Sequence, residues 1–253
     1  IANHLTKLHE QGYKVRGVFI ESEAELYQKL KANLSQSTFP IDFLQGTFRE
    51  YVAWPSELAS KYSVFTYLDP FSPSDLMFED MAGVYNKLRE NQSVETLINL
   101  MSWGFLRSIW GPKNKIIENN QIKKDHKIVQ KANRIAGGTY WQDYAFTDRD
   151  IINNHEKAQR FANDYSGKLK RWFNYTINYE IRKKYESQYS KYHMVFGSRS
   201  PDALELMNSA MVKARREFVK DGYIDGHLFP NQPEKEVIKI EEIEKIVVST
   251  AKE

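Results

Sequence analysis

The sequence contains no cysteine, and this absence removes several kinds of chemistry at once. Disulfides, cysteine nucleophiles and thiolate metal sites are excluded, and a chain without cysteine suits a reducing compartment. The six histidines are scattered without the spacing of metal ligands, so we predict no metal site. No apolar run approaches the ~20 residues that a membrane span requires, and no signal peptide is visible. We therefore expect a cytoplasmic protein with no membrane partner.

Charge and length set further limits. The net charge of +3 is too small to indicate a nucleic-acid partner by itself. The 253 residues fit one large domain, or one domain that carries an inserted or appended subdomain. The apolar content of 41% is enough to fill a hydrophobic core. Helical spacing of apolar residues begins at Ile1 itself, so we expect further residues to precede it.

Strand-like and helix-like segments alternate over the first hundred residues. This alternation predicts an α/β fold, a parallel sheet with helices on both sides. The third strand-like segment, residues 63–70, is so densely apolar that we expect it to be buried on both faces. Ligands bind at the carboxyl ends of strands in such sheets. The strand-like segments are residues 14–22, 39–48, 63–70 and 94–101, and the polar ends of the first three are Glu21-Ser22, Gln45-Gly46-Thr47 and Asp69-Pro70-Phe71.

The pattern changes at residue 111. Residues 111–189 are helix-like and basic, and residues 159–185 carry an apolar residue at every fourth position, which predicts one long amphipathic helix. A strand returns at residues 191–198, and a helix follows with Ser200 as its cap and Pro201 as its first residue. We therefore divide the chain into the first part of a core sheet (1–110), a basic helical insertion (111–190), a return to the sheet (191–230) and the start of a C-terminal appendage (231–253).

Glu21 ends the first strand, where an acid in a nucleotide-binding α/β fold grips the two hydroxyls of a ribose. Two acceptor oxygens match two neighbouring O–H donors. The alternative is an exposed acid that ends a strand or starts the following helix. The glycine-rich loop that should precede such an acid is not in the sequence, and we expect it before Ile1.

The turn Asp69-Pro70-Phe71 is the sharper indication. Proline fixes φ and removes a backbone donor, and it holds the preceding aspartate extended. A carboxylate or carbonyl then faces the crevice at the strand end, with an aromatic ring beside it. This arrangement suits holding a planar, amine-bearing substrate against a reactive cofactor. The alternative is a proline-rich cap, in which Ser72 or Ser74 begins the next helix.

Basic and aromatic residues are interleaved between residues 168 and 185. Cations there would neutralise phosphates and aromatic rings would stack on bases. The alternative is a long helix with a solvated, charged face. Residues 111–127 are also basic and lack the apolar stripe. Tyr140 and Trp141 either form the floor of a substrate pocket or pack in the core.

Five segments, spread over most of the chain, form a recognisable set. They are "FIES" (19–22), "YLDPFSPSDLMFEDM" (67–81), "VETLINLMSWGFLR" (94–107), "YWQDY" (140–144) and "KYHMVFGSRSPDALELMNSAM" (191–211). These segments resemble the three-Cys-motif partner family, which is similar to class I S-adenosylmethionine-dependent methyltransferases with a Rossmann-like sheet. The turn at Asp69 is also similar to the Asp-Pro-Phe-Gly-Ser-Pro turn of tRNA dimethylguanosine methyltransferases.

The resemblance implies S-adenosylmethionine as the cofactor and assigns residues to three roles. The cofactor ribose and adenine would lie against Glu21, Ser22, Gln45, Gly46 and Asp69. The catalytic turn would be Asp69, Pro70 and Phe71, in which Asp69 or the Pro70 carbonyl accepts a hydrogen bond from the substrate amine and Phe71 stacks on it. The substrate residues would be Asn99, Trp103, Arg107, Tyr140 and Trp141.

We therefore expect an S-adenosylmethionine-dependent methyltransferase-like protein that acts on an amino group of a nucleobase in nucleic acid. A base within a duplex would have to be flipped out of the stack. The alternative is a non-catalytic partner of a separate, cysteine-bearing protein in a defence or mobile-element system. Methylation of a protein or a small molecule is a third possibility.

Overall fold

The computed structural model of the protein describes residues 2–118, 121–148, 151–182 and 190–224, with side chains up to residue 219. Helices and strands alternate through the first hundred residues, as predicted, and each strand falls inside its predicted segment. The elements are α1 (Ala2–Glu10), β1 (Gly17–Glu21), α2 (Ala24–Leu34), β2 (Ile41–Gln45), a 3-10 helix (Phe48–Tyr51), α3 (Trp54–Leu58), β3 (Val64–Leu68), α4 (Phe78–Tyr85) and β4 (Val94–Leu100).

The second half is mostly helical at first and then returns to the sheet. Its last helix begins at Pro201, as predicted from the sequence. The elements are α5 (Ser102–Trp110), α6 (Lys113–Ile116), β5 (Ile117–Glu118), β6 (Gln121–Ile122), α7 (Lys127–Ala136), a 3-10 helix (Tyr140–Asp143), α8 (Asn154–Leu169), β7 (Tyr175–Arg182), β8 (Ser190–Ser198) and α9 (Pro201–Ile224).

The strands form a mixed α/β fold. The main sheet has the order β3-β4-β8-β7, in which β3 and β4 are parallel and β8 is antiparallel to both of its neighbours. Strands β1 and β2 form a separate parallel pair, and β5 and β6 form a small antiparallel hairpin. The strands of the first hundred residues pair in parallel, as predicted, and the antiparallel β8 makes the main sheet mixed. The connection from β7 to β8 is too short for a crossover helix, so the two strands pair as antiparallel neighbours.

The long helix predicted over residues 159–185 is also wrong. Helix α8 ends at Leu169, and residues 175–182 form strand β7. A spacing of four places residues on one face of a helix, but it also places them on one face of a strand, because four is a multiple of two. The predicted insertion therefore does not extend to residue 190, since β7 already belongs to the main sheet. The predicted appendage, residues 231–253, lies outside the described residues.

The segment after Asp69 also differs from the alternative in which Ser72 or Ser74 begins the next helix. Residues 72–75 form a turn, in which the Ser72 amide donates to the Asp75 carboxylate at 2.7 Å. Helix α4 begins only at Phe78, where the Asp80 carboxylate accepts from the Met77 amide. The turn at residues 72–75 therefore lies between the Asp69-Pro70-Phe71 turn and helix α4, and it keeps Pro70 and Pro73 near the end of β3.

The core lies between the main sheet and helices α4, α5, α7 and α8. Phe105 of α5 stacks on Phe161 of α8 with a centroid distance of 4.1 Å, and both are buried. Ile98 in the middle of β4 is fully buried beneath these helices. The carboxyl end of β4 is thus supported by a densely packed aromatic core.

Candidate functional site

The ends of β1 and β2 lie next to each other. Glu21 is opposite Gln45 in the register, and the Gly46 amide donates to the Glu21 carbonyl at 3.0 Å. Gly46 has a φ of +151°, and a Cβ there would lie 2.7 Å from the Glu50 carboxylate. Any other residue would therefore be strained at this strand end. The two predicted cofactor residues Gln45 and Gly46 lie beside Glu21.

Glu21 is half-buried, and one of its carboxylate oxygens accepts a hydrogen bond from the Glu23 amide at 2.8 Å. This contact matches the alternative in which the acid starts the following helix. Among the described residues, only this oxygen of Glu21 accepts a hydrogen bond, so the second oxygen can still accept from a hydroxyl. Ser22 is exposed beside it.

The second site lies at the ends of β3 and β4, where Asp69 and Asn99 meet. Leu68 is opposite Ile98 in the register, which brings Asp69 opposite Asn99. The Asn99 Nδ2 donates to the Asp69 Oδ1 at 2.6 Å. Of the predicted site residues, these two are joined directly, as expected for polar residues that end neighbouring parallel strands.

The Asn99 side-chain oxygen is buried and accepts no hydrogen bond from any described residue. Turning the amide over would place this oxygen against the Asp69 carboxylate, and two acceptors would then repel each other. The orientation is therefore fixed by Asp69. The result is two adjacent acceptors, a carboxylate and an amide oxygen, one of which is buried without a donor. A buried acceptor without a donor costs free energy, so it indicates a place for a donor.

Phe71 and Pro70 frame these acceptors in different ways. The Phe71 side chain is 95% exposed, so it contributes little to the core and is free to contact a ligand. Pro70 and Asn99 line a small, partly open pocket with room for about one water-sized group. The other pocket residues are mostly apolar: Pro73, Leu76, Ile98, Leu100, Met101, Phe105, Ile135, Phe161 and Tyr165.

Tyr67 also lies at this site and was not predicted from the sequence. It lies two positions before Asp69, so both side chains project from the same face of the strand. Burial and the nearby Asp69 charge raise the pKa of Tyr67, and Tyr192 of β8 lies close enough to contribute. The regular spacing of Phe65, Tyr67 and Asp69 at every second residue could have indicated this shared face.

The prediction that β3 is buried on both faces is wrong. Phe65 is 49% exposed and Tyr67 is 42% exposed. Burial alternates along the strand, since Val64, Thr66 and Leu68 are partly buried. Alternate residues project from opposite faces, so one face of β3 is covered and the face that carries Phe65 and Tyr67 is not.

The two pairs of strands start beside each other but are not joined by strand hydrogen bonds. Arg16, just before β1, forms a salt bridge with Asp42 of β2 at 2.6 Å. Tyr62, two residues before β3, lies near the same Arg16. The amino ends of β1 and β3 are therefore close, while the structure shows no contact between Glu21 and Asp69.

The remaining predicted substrate residues fall in different environments. Trp103 is half-buried, with its ring edge-on to Trp110 at 5.8 Å, and Arg107 is exposed one turn later on α5. Tyr140 is half-buried and its hydroxyl donates to the Ala136 carbonyl. Trp141 is fully buried and its Nε1 donates to Asn133 at 3.0 Å. Trp141 therefore packs in the core, which was the alternative to a pocket floor.

A buried histidine behind β4 was not predicted, because a lone histidine leaves no pattern in a sequence. The His193 ring of β8 contacts the Ser102 hydroxyl at 2.8 Å and the Gln159 side chain at 3.1 Å. Burial lowers the pKa of His193 to about 4. The neutral ring thus joins β8 to α5 and α8 just beyond the Asn99 strand end, and we assign it a structural role.

No family model, curated protein or solved structure matches this chain. Among the described residues, no group of three or more histidine and acidic side chains is placed to hold a metal ion. The described helices also include none that combines the length and apolarity needed to cross a membrane.

Proposed function

We propose that the protein is an S-adenosylmethionine-dependent methyltransferase-like enzyme that acts on an amino group, and that the amine belongs to a nucleobase in nucleic acid. One observation carries this proposal: Asp69 and the donor-free Asn99 oxygen lie together at the ends of β3 and β4. A primary amine has two N–H donors, and each of these oxygens can accept one. The nitrogen lone pair is then directed away from the protein acceptors and is available to a methyl donor.

The exposed ring of Phe71 fits a planar acceptor. It lies two residues after Asp69 and is almost entirely solvent-exposed. Stacking of a base on such a ring contributes about 1–3 kcal/mol and tolerates any base. A nucleobase stacked there would be oriented by the ring and by the two acceptors.

The chemical step that we propose is a direct transfer. S-adenosylmethionine would supply the methyl group and would leave as S-adenosylhomocysteine, with the electron pair of the broken carbon–sulfur bond on sulfur. The Asp69 carboxylate would stabilise the positive charge that develops on the amine nitrogen, which would then release a proton to solvent. Asn99 acts by positioning Asp69 and the amine.

For the cofactor we propose a Rossmann-like arrangement of the class I methyltransferase type. The starts of β1 and β3 lie together at Arg16 and Tyr62, which supports placing the carboxyl ends of both strand pairs at one edge. Glu21 would then bind the ribose, with Gln45 and Gly46 near the adenine. The resemblance to the three-Cys-motif partner family supports the same assignment.

A second candidate function is a non-catalytic partner of a cysteine-bearing protein. The observation that favours it is the row of exposed aromatic residues Phe65, Tyr67 and Phe71 along β3 and its turn. Exposed aromatic residues that lie together are typical of protein interfaces. This candidate needs the fold and the aromatic row but not the chemistry of Asp69.

Calorimetry with S-adenosylmethionine separates the two candidates. The enzyme proposal predicts binding that Glu21→Ala weakens and that Glu90→Ala, at an exposed acid outside the site, leaves unchanged. The absence of any binding would favour the partner function. Asp69→Ala should keep cofactor binding and abolish methyl transfer, and full transfer by that variant would remove Asp69 from the mechanism.

A further inference from the structure

Positive charge is concentrated in one part of the chain. Residues 111–182 contain 14 Lys and Arg residues against 8 Asp and Glu residues, a surplus of six, whereas the whole protein has a net charge of +3. The rest of the chain is therefore net negative. A small overall charge thus conceals a strongly basic region.

Part of this charge lies on consecutive elements, and we call it the basic ridge. Its lysines belong to α6, the segment after the β5–β6 hairpin and the first two turns of α7. The hairpin folds back so that the Lys123 amide donates to the Ile116 carbonyl at 2.8 Å, which brings Lys123 beside the end of α6. All members are exposed, and none forms a salt bridge with another described residue. They are Lys113, Lys115, Lys124, Lys127 and Lys131.

The acidic residues of this region do not neutralise the ridge. Glu118 lies in the hairpin and pairs with Lys123 at 3.3 Å, a lysine that we do not count in the ridge. Asp125 is exposed between Lys124 and Lys127. Among the described residues from 113 to 131, Asp125 is therefore the one acid without a salt bridge, against five lysines.

The geometry of α7 favours the binding of a long anion and not the binding of a membrane. Lys127 and Lys131 are four residues apart, so they lie on one face of the helix about 6 Å apart along its axis. The apolar face of α7 is buried, with Val129 fully inaccessible and Ala132 3% exposed. A helix that lies on a membrane needs an exposed apolar face, and α7 has none to offer. The ridge presents charge alone.

The ridge also leads to the candidate site. Ile135, one turn after Lys131 on α7, lines the pocket beneath the Asp69–Pro70 turn. A polymer on the ridge would therefore approach the site along the helix. Lysines are point charges that contact phosphates without reading sequence, so they position a strand and leave recognition to other groups.

We propose that the basic ridge binds the phosphate backbone of a nucleic acid and guides it toward Asp69. The binding does not depend on the methyltransferase proposal; only the destination of the strand rests on it. The probe is a fluorescein-labelled oligonucleotide of about 20 nucleotides, single-stranded or annealed to its complement, titrated by fluorescence anisotropy without S-adenosylmethionine.

The test variant combines Lys124→Glu, Lys127→Glu and Lys131→Glu. We expect its affinity to fall by about tenfold or more at low salt. The slope of log affinity against log salt should become shallower by about 2, because each lost phosphate contact contributes about 0.7 for a single strand. The control combines Lys7→Glu, Lys61→Glu and Lys87→Glu, three exposed lysines outside the ridge. It changes the net charge equally and should bind nearly as well as the unaltered protein.

Equal losses in the two triple variants would overturn the proposal, because net charge alone would then explain binding. It would also be overturned if the unaltered protein failed to bind either oligonucleotide at about 50 mM salt, or bound only phosphatidylserine vesicles.

A second measurement avoids variants that fail to fold: in the unaltered protein, the oligonucleotide should protect ridge lysines from acetylation and leave Lys61 and Lys87 reactive. Nucleic-acid binding without methyl transfer would support binding at the basic ridge and contradict the enzyme proposal. Methyl transfer to an amine without nucleic-acid binding would support the enzyme proposal and contradict binding at the ridge.

Discussion

Burial of His193 predicts a specific dependence of folding stability on pH. The ring is inaccessible to solvent and contacts Ser102 and Gln159 through its two nitrogens. Burial lowers its pKa to about 4; the neighbouring Glu180 opposes this shift and His155 adds to it. The folded protein therefore accommodates the neutral ring.

The sign and size of the effect follow from the two pKa values. In the unfolded chain a histidine titrates near pH 6.5, so between pH 6.5 and pH 4 the unfolded state binds a proton that the folded state does not. The free energy of unfolding must then rise with pH across this window and level off above it. Between pH 5 and pH 7 the contribution of His193 amounts to about 2 kcal/mol, at 1.36 kcal/mol per pKa unit.

The assay is urea unfolding at pH 5 and pH 7 for the unaltered protein and for His193→Gln. Glutamine can still hydrogen-bond to Ser102 but does not titrate. The unaltered protein should lose about 2 kcal/mol more than the variant on going to pH 5. Burial raises the pKa of Glu95 and Asp164, which acts in the opposite direction, but both proteins share that effect and it cancels. Equal losses would refute the reasoning, since His193 would then titrate alike in the folded and unfolded states.

Three further predictions concern single substitutions. Gly137→Ala should destabilise the protein by several kcal/mol in urea unfolding, because φ is +70° and a Cβ would lie 2.4 Å from the Phe78 ring. Gly12→Ala, with a φ of +90° and nothing within 4 Å, should cost only about 1 kcal/mol of backbone strain, and similar losses at both glycines would contradict this account. Trp141→Ala should lower the free energy of unfolding by about 3–5 kcal/mol. An unchanged value would contradict core packing and favour the interpretation of Trp141 as the floor of a pocket. Phe71→Ala should leave the unfolding free energy within about 0.5 kcal/mol while raising the KM for the methyl acceptor, and a clear loss of thermal stability would show that the ring packs in the fold.

The first four strands could be predicted from the sequence because each is a short apolar run bounded by glycine, proline or polar residues. Strand β7 could not, since its apolar residues at every fourth position, Ile177 and Ile181, satisfy a helix and a strand equally. The exposure of Phe65 was missed for another reason. A dense apolar composition does not reveal which face of a strand is left uncovered.

The site was partly predictable. The meeting of Asp69 and Asn99 follows from the rule that neighbouring parallel strands end at the same edge, which needs only the strand order. The donor-free oxygen of Asn99 depends on the exact register of β3 and β4 and on the amide orientation, which no sequence pattern encodes. The burial of His193 and Trp141 results from tertiary packing. The partner of His193, Ser102, is distant in sequence, and the pair Trp141 and Asn133 follows no motif.

The central claim is that Asp69 and Asn99 hold an amine for methylation. The most direct test follows isotope-labelled methyl groups from S-adenosylmethionine into nucleic acid, with mass spectrometry of the released nucleosides. We predict label on an exocyclic amino nitrogen, no transfer by Asp69→Ala, and transfer slowed by about 10- to 100-fold in Asn99→Ala, because one hydrogen bond to a charged group contributes about 1.5–3 kcal/mol. Label on carbon or oxygen, or transfer that neither substitution slows, would contradict the claim.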